Sequence, residues 1–124
     1  MQHVISLQEA IVLTKRFREN RETVLATAYQ GQNLLPLSET FDRSAIEMLL
    51  NKPGCTGIRI YYGMDENLKL HAVIVSSNAE NEDIIPGQSM ATTGGEEEEE
   101  EGHVLETGIR CPPVCPPESD LNTP

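Results

Sequence analysis

The first thirty residues alternate apolar and polar positions with the period of a helix. Ser6 and Glu9 have the spacing of a capping box, in which each side chain accepts a hydrogen bond from the backbone N–H of the other residue. Apolar positions then recur at intervals of three and four, which is typical of an amphipathic helix. The pattern predicts a helix over about residues 7–29, bent near Asn20 and closed by Gly31. Its predicted stripe comprises Leu7, Ala10, Ile11, Thr14, Phe17, Val24, Leu25 and Ala28.

Two arginines interrupt this apolar stripe. Arg18 and Arg21 project from the same side of the predicted helix as its apolar residues. Guanidinium groups bind carboxylates and phosphates through paired hydrogen bonds, so both arginines are candidate contacts for an anion or an acidic partner. The sequence favours a structural role for them, as an ion pair at the edge of the core with Glu39, Asp42 or Glu47.

A second, shorter helix is predicted over about residues 40–51. Ser44 and Glu47 again have capping-box spacing, and Pro53 and Gly54 follow its end. Its apolar residues cover more than half of the helix circumference: Phe41, Ala45, Ile46, Met48, Leu49 and Leu50. Such a helix is either enclosed within the domain or partly buried in an oligomer interface.

The period changes to two after residue 56, which indicates β-structure. Residues 57–62 and 68–76 read as two strands joined by a polar turn, and together they predict an antiparallel hairpin over residues 57–76. A lone hairpin is marginally stable in water, so it needs a cover. Residues 103–110 are the candidate third strand, and residues 84–86 a short edge element.

The patterns together predict an α+β fold in which two N-terminal helices pack on a small antiparallel sheet. The predicted domain spans residues 1–86. Residues 87–102 contain the run of glutamates from Glu96 to Glu101 and too little apolar area to offset the cost of ordering, which predicts an acidic disordered linker. Residues 103–124 form a tail rich in cysteine and proline that could dock as an edge strand.

The net charge of −11 is concentrated towards the C-terminus. Residues 1–86 carry eleven acidic and eight basic side chains, whereas residues 87–124 carry nine acidic and one basic. A chain this acidic is repelled by phosphate backbones, so general nucleic-acid binding is disfavoured. No apolar run approaches the length of a membrane span, and residues 1–13 lack the pattern of a signal peptide. The sequence therefore predicts a cytoplasmic protein with no membrane partner.

Three cysteines offer the only metal or redox chemistry in the sequence. Cys111 and Cys115 together with Cys55 and His103 would make a Cys₃His set for zinc. A zinc module usually has two closely spaced ligand pairs, however, and here there is one. A disulfide between Cys111 and Cys115 requires a turn or a cis proline. The sequence favours two unpaired thiols in a mobile tail and no cofactor, with zinc and the disulfide left open.

No other constellation points to catalysis. The acidic loops do not have the spacing of a calcium-binding loop, and no glycine-rich loop is placed to hold phosphates. His71 lies in the middle of a predicted strand, where a half-exposed sheet residue is favoured over a general base. No spacing indicates a nucleophile next to a base.

Several segments resemble those of small uncharacterised bacterial proteins with a Cys-Pro-Pro-x-Cys type of C-terminus. The similar segments are residues 37–42, residues 54–64 and residues 110–115. The resemblance covers most of the chain apart from the glutamate run. No activity is attached to such proteins, so the resemblance implies neither a function nor a site.

Three classes of function follow, and the sequence favours the first. It is a non-catalytic interaction or accessory protein that forms homo-oligomers or binds a protein partner, because the second helix is broadly apolar and the hairpin has exposed edges. The second is a metal- or thiol-dependent protein centred on the three cysteines. The third is a ligand-binding protein or small enzyme with a cleft lined by Arg18, Arg21, Arg59 and His71.

Overall fold

The structure is a computed structural model that describes residues 3–85 and 104–122. The predicted linker over residues 87–102 and the candidate zinc ligand His103 lie outside these ranges. The chain has mixed α+β architecture, as predicted. Its helices and strands are α1 (Leu7–Asn20), β1 (Ser38–Thr40), α2 (Arg43–Leu50), β2 (Gly57–Met64), β3 (Leu70–Ser77), β4 (Asp83–Ile84) and β5 (Ile109–Cys111), with a short 3₁₀ turn at Thr27–Tyr29.

Helix α1 begins as predicted and ends nine residues early. The capping box of Ser6 and Glu9 is complete, with both hydrogen bonds present. The helix ends at Asn20, whose side-chain amide donates to the Arg16 carbonyl oxygen at 2.9 Å. The β-branched residues Thr23 and Val24 follow, and these residue types, like asparagine, favour helix less than alanine or leucine does. The predicted bend at Asn20 is therefore a helix end.

The side of α1 turned towards the protein matches the middle of the predicted stripe but not Leu7 and Phe17, which are exposed. Its more protected residues are Ala10, Ile11, Thr14 and Arg18, and none of the helix is fully buried. Leu7, placed on the predicted stripe, is 62% exposed. The packed side therefore includes one of the two arginines that seemed to interrupt an apolar face.

Helix α2 packs against β2 and β3 as predicted. Its N-cap is Asp42, and no side-chain hydrogen bond caps it, so the predicted capping box of Ser44 and Glu47 is wrong. Instead, Glu47 pairs with Arg43 one turn earlier. Leu49 is the one fully buried residue of the helix, and its carbonyl oxygen accepts a hydrogen bond of 2.7 Å from the buried Ser76 hydroxyl.

The predicted hairpin is confirmed as β2 and β3, which pair antiparallel from Gly57 opposite Ser77 to Met64 opposite Leu70. The third strand of this sheet is β4, in the order β2-β3-β4. Residues 103–110 were the possible third strand, and in the described part of that segment one residue pairs with the sheet. Leu105 forms an isolated antiparallel bridge with Ile74 of β3, whereas β4 pairs with Ser76 and Ser77.

The C-terminal segment, residues 104–122, forms a second small sheet elsewhere in the molecule. Strand β5 pairs antiparallel with β1, so that Ser38 lies opposite Cys111. The Arg110 guanidinium donates to the carbonyl oxygens of Leu70, Asn33 and Leu34 at 3.1–3.3 Å. Cys111 is 2% exposed. The segment is thus tied to the connector before β1 and to the start of β3.

Within residues 3–85 and 104–122, no helix is both long and apolar enough to cross a membrane.

Candidate functional site

The most concentrated group of titratable side chains surrounds His71 on β3. We call Glu39, Asp65, His71 and Glu106 the His71 cluster. Asp65 comes from the turn between β2 and β3, Glu39 from β1 and Glu106 from the C-terminal segment. The cluster therefore joins four separate parts of the chain at one imidazole.

Asp65 holds one side of the imidazole. Its Oδ1 accepts hydrogen bonds from the backbone N–H groups of Asn67 and Lys69 at 2.8 and 3.0 Å, and its Oδ2 lies 2.8 Å from His71 Nε2. The N–H of Lys69, followed by the histidine contact, lowers the pKa of the Asp65 carboxyl below its ordinary value. Asp65 thus stays ionised and fixes the orientation of the ring.

Two glutamates approach the other ring nitrogen. The distance from His71 Nδ1 to Glu39 Oε2 is 3.7 Å, and to Glu106 Oε2 it is 3.5 Å. The Glu39 side chain is 8% exposed, and its Oε1 accepts a hydrogen bond of 2.6 Å from the Ala72 N–H. Its Oε2 and His71 Nδ1 are buried without a hydrogen-bond partner among the described residues.

The described partners of His71 are carboxylates from three other parts of the chain. The contacts of His71 in the described ranges are to carboxylates, so no hydroxyl or thiol is placed as a nucleophile beside the ring. No group of three His, Cys, Asp or Glu side chains in these ranges is arranged to hold a metal ion. A protonated His71 would be a cation shared by three carboxylates from distant parts of the chain.

The sequence analysis missed this cluster because its members are far apart. Glu39 and Glu106 lie 32 and 35 positions from His71, and no local pattern connects them. Only Asp65 could have been found, since the hairpin register places Gly63 opposite His71 and the turn residue Asp65 two positions further on.

The candidate anion contacts Arg18 and Arg21 bind backbone carbonyls instead. Arg18 Nη1 donates to the Leu121 carbonyl oxygen at 2.5 Å, and Arg21 Nη1 donates to that of Leu35 at 2.7 Å. Arg21 also contacts Glu22. The ion pairs expected with Glu39, Asp42 or Glu47 are not among the contacts of either arginine in the described ranges. Through these hydrogen bonds, Arg18 binds the C-terminal segment and Arg21 binds the connector before β1.

Arg59 and Tyr61 form a separate network on β2. Both side chains bind the Asp83 carboxylate of β4, Arg59 through Nη1 and Tyr61 through its hydroxyl at 2.5 Å. The Tyr61 hydrogen bond, followed by Arg59, lowers the pKa of Asp83, and the same hydrogen bond raises the pKa of Tyr61. Arg59 also binds Asn81. The network fastens the two outer strands of the sheet together.

The predicted cleft of Arg18, Arg21, Arg59 and His71 is not assembled, because each side chain is committed to its own partners. A cavity of about 480 Å³ between α1 and residues 116–122 is lined by Arg18 but by none of the other three. A second cavity of about 520 Å³, beside β4, is lined by none of the four.

The cysteines differ from the sequence expectation of unpaired thiols. Cys111 and Cys115 form a disulfide, with Cα atoms 4.5 Å apart, and the peptide bonds before Pro112 and Pro113 are cis. The sequence expectation treated Pro112 and Pro113 as extended, whereas here they turn the chain back. As bonded, these sulfurs are not thiolate ligands. Cys55 is a free, partly exposed thiol whose Sγ donates to the Gly57 carbonyl oxygen.

Strand β2 leaves one edge of the three-stranded sheet open. The N–H groups of Leu70, Ala72 and Ile74 on β3 point away from β2, since they donate to Leu34, Glu39 and Leu105. Antiparallel pairs alternate, so the residues opposite them on β2 direct their own N–H and C=O groups away from β3. Those residues are Met64, Tyr62 and Ile60.

The side chains along this edge are apolar and exposed. Tyr62 is 74% exposed and Met64 61%, and Ile58 and Ile60 are also accessible. Ile60 and Tyr62 line a shallow cavity of about 280 Å³ with Phe41 and Leu70. The backbone N–H and C=O groups of Ile60 and Tyr62 have no hydrogen-bond partner in the part of the chain that the structure describes.

A comparison with protein-family models, curated proteins and solved structures finds no match to the chain.

Proposed function

We propose that the protein is a non-catalytic interaction protein and that its partner is a second copy of the chain. In this complex, a strand of the second copy pairs with the open edge of β2. The observation that carries the proposal is the contrast between the two edges of one sheet. The outer edge of β3 is covered by β4, by the Leu105 bridge, by the Glu39 carboxylate and by Leu34. By contrast, no described residue pairs with the outer edge of β2, a strand of eight residues.

The open edge lacks the usual protection against pairing. Exposed edge strands are normally short, or carry lysine, proline or a bulge. Strand β2 has no lysine and no proline, and its only charged residue, Arg59, is already paired with Asp83. An extended strand can therefore form main-chain hydrogen bonds here without burying an unpaired charge.

A second copy fits this edge for two reasons. Antiparallel pairing of a strand with itself is symmetric, so the same surface serves both partners around a twofold axis. The exposed apolar residues of β2 would then cover one another across that axis, which offers burial for Tyr62 and Met64. The net charge of −11 opposes association of two copies, and salt screens this repulsion. Self-association should therefore strengthen as salt is added.

Analytical ultracentrifugation of the full chain tests the proposal. We expect a dimer whose population rises with protein concentration and with salt. Tyr62→Pro removes an N–H that faces the open edge and leaves the β2–β3 ladder intact, so it should give a monomer. Tyr62→Thr is the matched control, because it removes the aromatic ring but keeps the backbone donor, and it should still dimerise.

Two results would contradict the proposal. A wild-type chain that stays monomeric at high concentration and high salt excludes the second copy. A Tyr62→Pro variant that is folded by circular dichroism and dimerises as strongly as the wild type places the interface elsewhere.

A further inference from the structure

The disulfide between Cys111 and Cys115 has one protected and one accessible end. Cys111 lies on β5 and is 2% exposed, whereas Cys115 is exposed and follows Val114, which is 61% exposed. The two cysteines are separated by only 4 positions in sequence. A reagent from solution therefore reaches the bond from the Cys115 side.

Noncovalent contacts already hold the protected end in place. Strand β5 pairs with β1, and the Cys111 carbonyl oxygen accepts a hydrogen bond of 2.7 Å from the Leu37 N–H. The neighbouring Arg110 binds three further carbonyls. A disulfide restrains the unfolded chain less as the loop that it closes becomes shorter, and this loop is among the shortest possible. The Cys111 end is thus held by contacts that are independent of the bond.

We propose that the Cys111–Cys115 pair is a site of thiol–disulfide exchange, at which a small thiol attacks the Cys115 sulfur. The attacking thiolate forms a new S–S bond to Cys115 Sγ, and the bond to Cys111 Sγ breaks. Cys111 departs as a thiolate with the electron pair and takes up a proton from water. A second thiol then attacks the mixed disulfide and releases Cys115. Overall, two thiols are oxidised to one disulfide, and the protein disulfide is reduced to two thiols.

Access decides which sulfur is attacked. Exchange requires the thiolate to approach along the axis of the S–S bond, and only one end of this bond is open to solvent. The first mixed disulfide should therefore form on Cys115, while Cys111 is released into its protected position on β5. This inference does not depend on the dimer proposed above, because the C-terminal segment contributes no residue to the β2 edge.

Trapping of the intermediate in the full-length wild-type chain tests the site. The folded protein is treated with 2-mercaptoethanol, a neutral thiol, then quenched with acid, unfolded, alkylated and mapped by peptide mass spectrometry. We expect the mercaptoethanol adduct on Cys115 and the alkyl group on Cys111. Circular dichroism under the same conditions should show that the chain remains folded.

Three variants separate the two sulfurs. When treated with oxidised mercaptoethanol, the Cys111→Ser variant should form the adduct on Cys115. The Cys115→Ser variant should form the adduct on Cys111 much more slowly, because the Cys111 sulfur is protected. Cys55→Ser is the control and should leave adduct formation on Cys115 unchanged. The proposal is overturned if the wild-type adduct forms mainly on Cys111, or if the bond resists reduction until a denaturant unfolds the chain.

Discussion

Helix α1 and the C-terminal segment differ in two respects: how clearly the sequence predicts their structure, and how far their residues are buried in the protein. Helix α1 has a capping box and a clear helical period, yet none of its residues is fully buried. Residues 104–122 have weak patterns and several prolines, yet they contribute the buried Cys111 and contact β1, β3 and the connector before β1. A strong local signal therefore does not identify the part of the chain that completes the core.

The difference reflects two kinds of information. A helix is specified by neighbours three and four positions apart, so its existence can be predicted from a short window. The C-terminal segment is specified by distant residues, and no short window contains them: Ile74 lies 31 positions before Leu105, and Ser38 lies 73 positions before Cys111. Three predictions test whether α1 is less important for stability than this segment.

The largest effect is expected from Gly108→Ala in the C-terminal segment. A Cβ atom at this position would lie 2.6 Å from a ring carbon of Phe41. Because this distance is shorter than any real contact, the ring must move, and such overpacking typically costs about 1–3 kcal/mol. Urea denaturation measures the loss of unfolding free energy.

Gly63→Ala is the matched control for this clash. Its Cβ would meet Val73 Cγ2 at 3.4 Å, which is close to an ordinary contact. If both variants have the same stability as the wild type, the C-terminal segment does not pack against Phe41 as described.

A smaller effect is expected from Ser6→Ala at the start of α1. Loss of an N-cap side chain costs about 1 kcal/mol of helix stability. Because α1 has no fully buried residue, we expect the loss as faster hydrogen exchange of its first turn, with little change in the global unfolding midpoint. Ser44→Ala is the control, since no side chain caps α2. If Ser6→Ala lowers the global unfolding midpoint as much as Gly108→Ala does, the proposed difference in stability between α1 and the C-terminal segment is contradicted.

The smallest effect concerns acid stability and the link between the hairpin turn and the C-terminal segment. The pKa of Asp65 is lowered in the folded protein, so its charge stabilises the fold above its ordinary value of 3.8, and that stabilisation is lost as the pH falls further. Asp65→Asn should therefore be less stable than the wild type at neutral pH, and the difference should narrow as the pH falls below about 4. Acid denaturation curves of the two proteins measure this difference, and a difference that stays constant with pH would contradict the role given to the Asp65 charge.

The sequence sufficed for the elements whose information is local. The hairpin of β2 and β3, the start of α1 and the position of α2 all follow from periodicity and breakers. The end of α1 was misplaced because apolar residues such as Val24 and Leu25 continue the helical period beyond Asn20, where the backbone leaves the helix.

The candidate sites were less predictable, because they depend on folding. Arg18 and Arg21 are expected from the sequence to pair with an acidic group, within the fold or on a partner, whereas they bind carbonyls that only the fold brings near. The sequence disfavours the disulfide because an extended Pro112-Pro113 segment would hold the two cysteines too far apart. The cytoplasmic location stays a prediction, and the disulfide weighs against it, since disulfides persist mainly in oxidising compartments.

The Glu39 carboxylate on the edge of β3 has a consequence for stoichiometry. By accepting the Ala72 N–H, it occupies a backbone donor that an incoming strand would otherwise use. An incoming strand therefore cannot use this donor on the β3 side. In the dimer proposed above, pairing around a twofold axis would consume the β2 edge of both copies and would give a continuous sheet of six strands. For that proposed dimer, a single side chain placed against β3 would act as a strand terminator, which opposes the continued strand addition that builds a fibre.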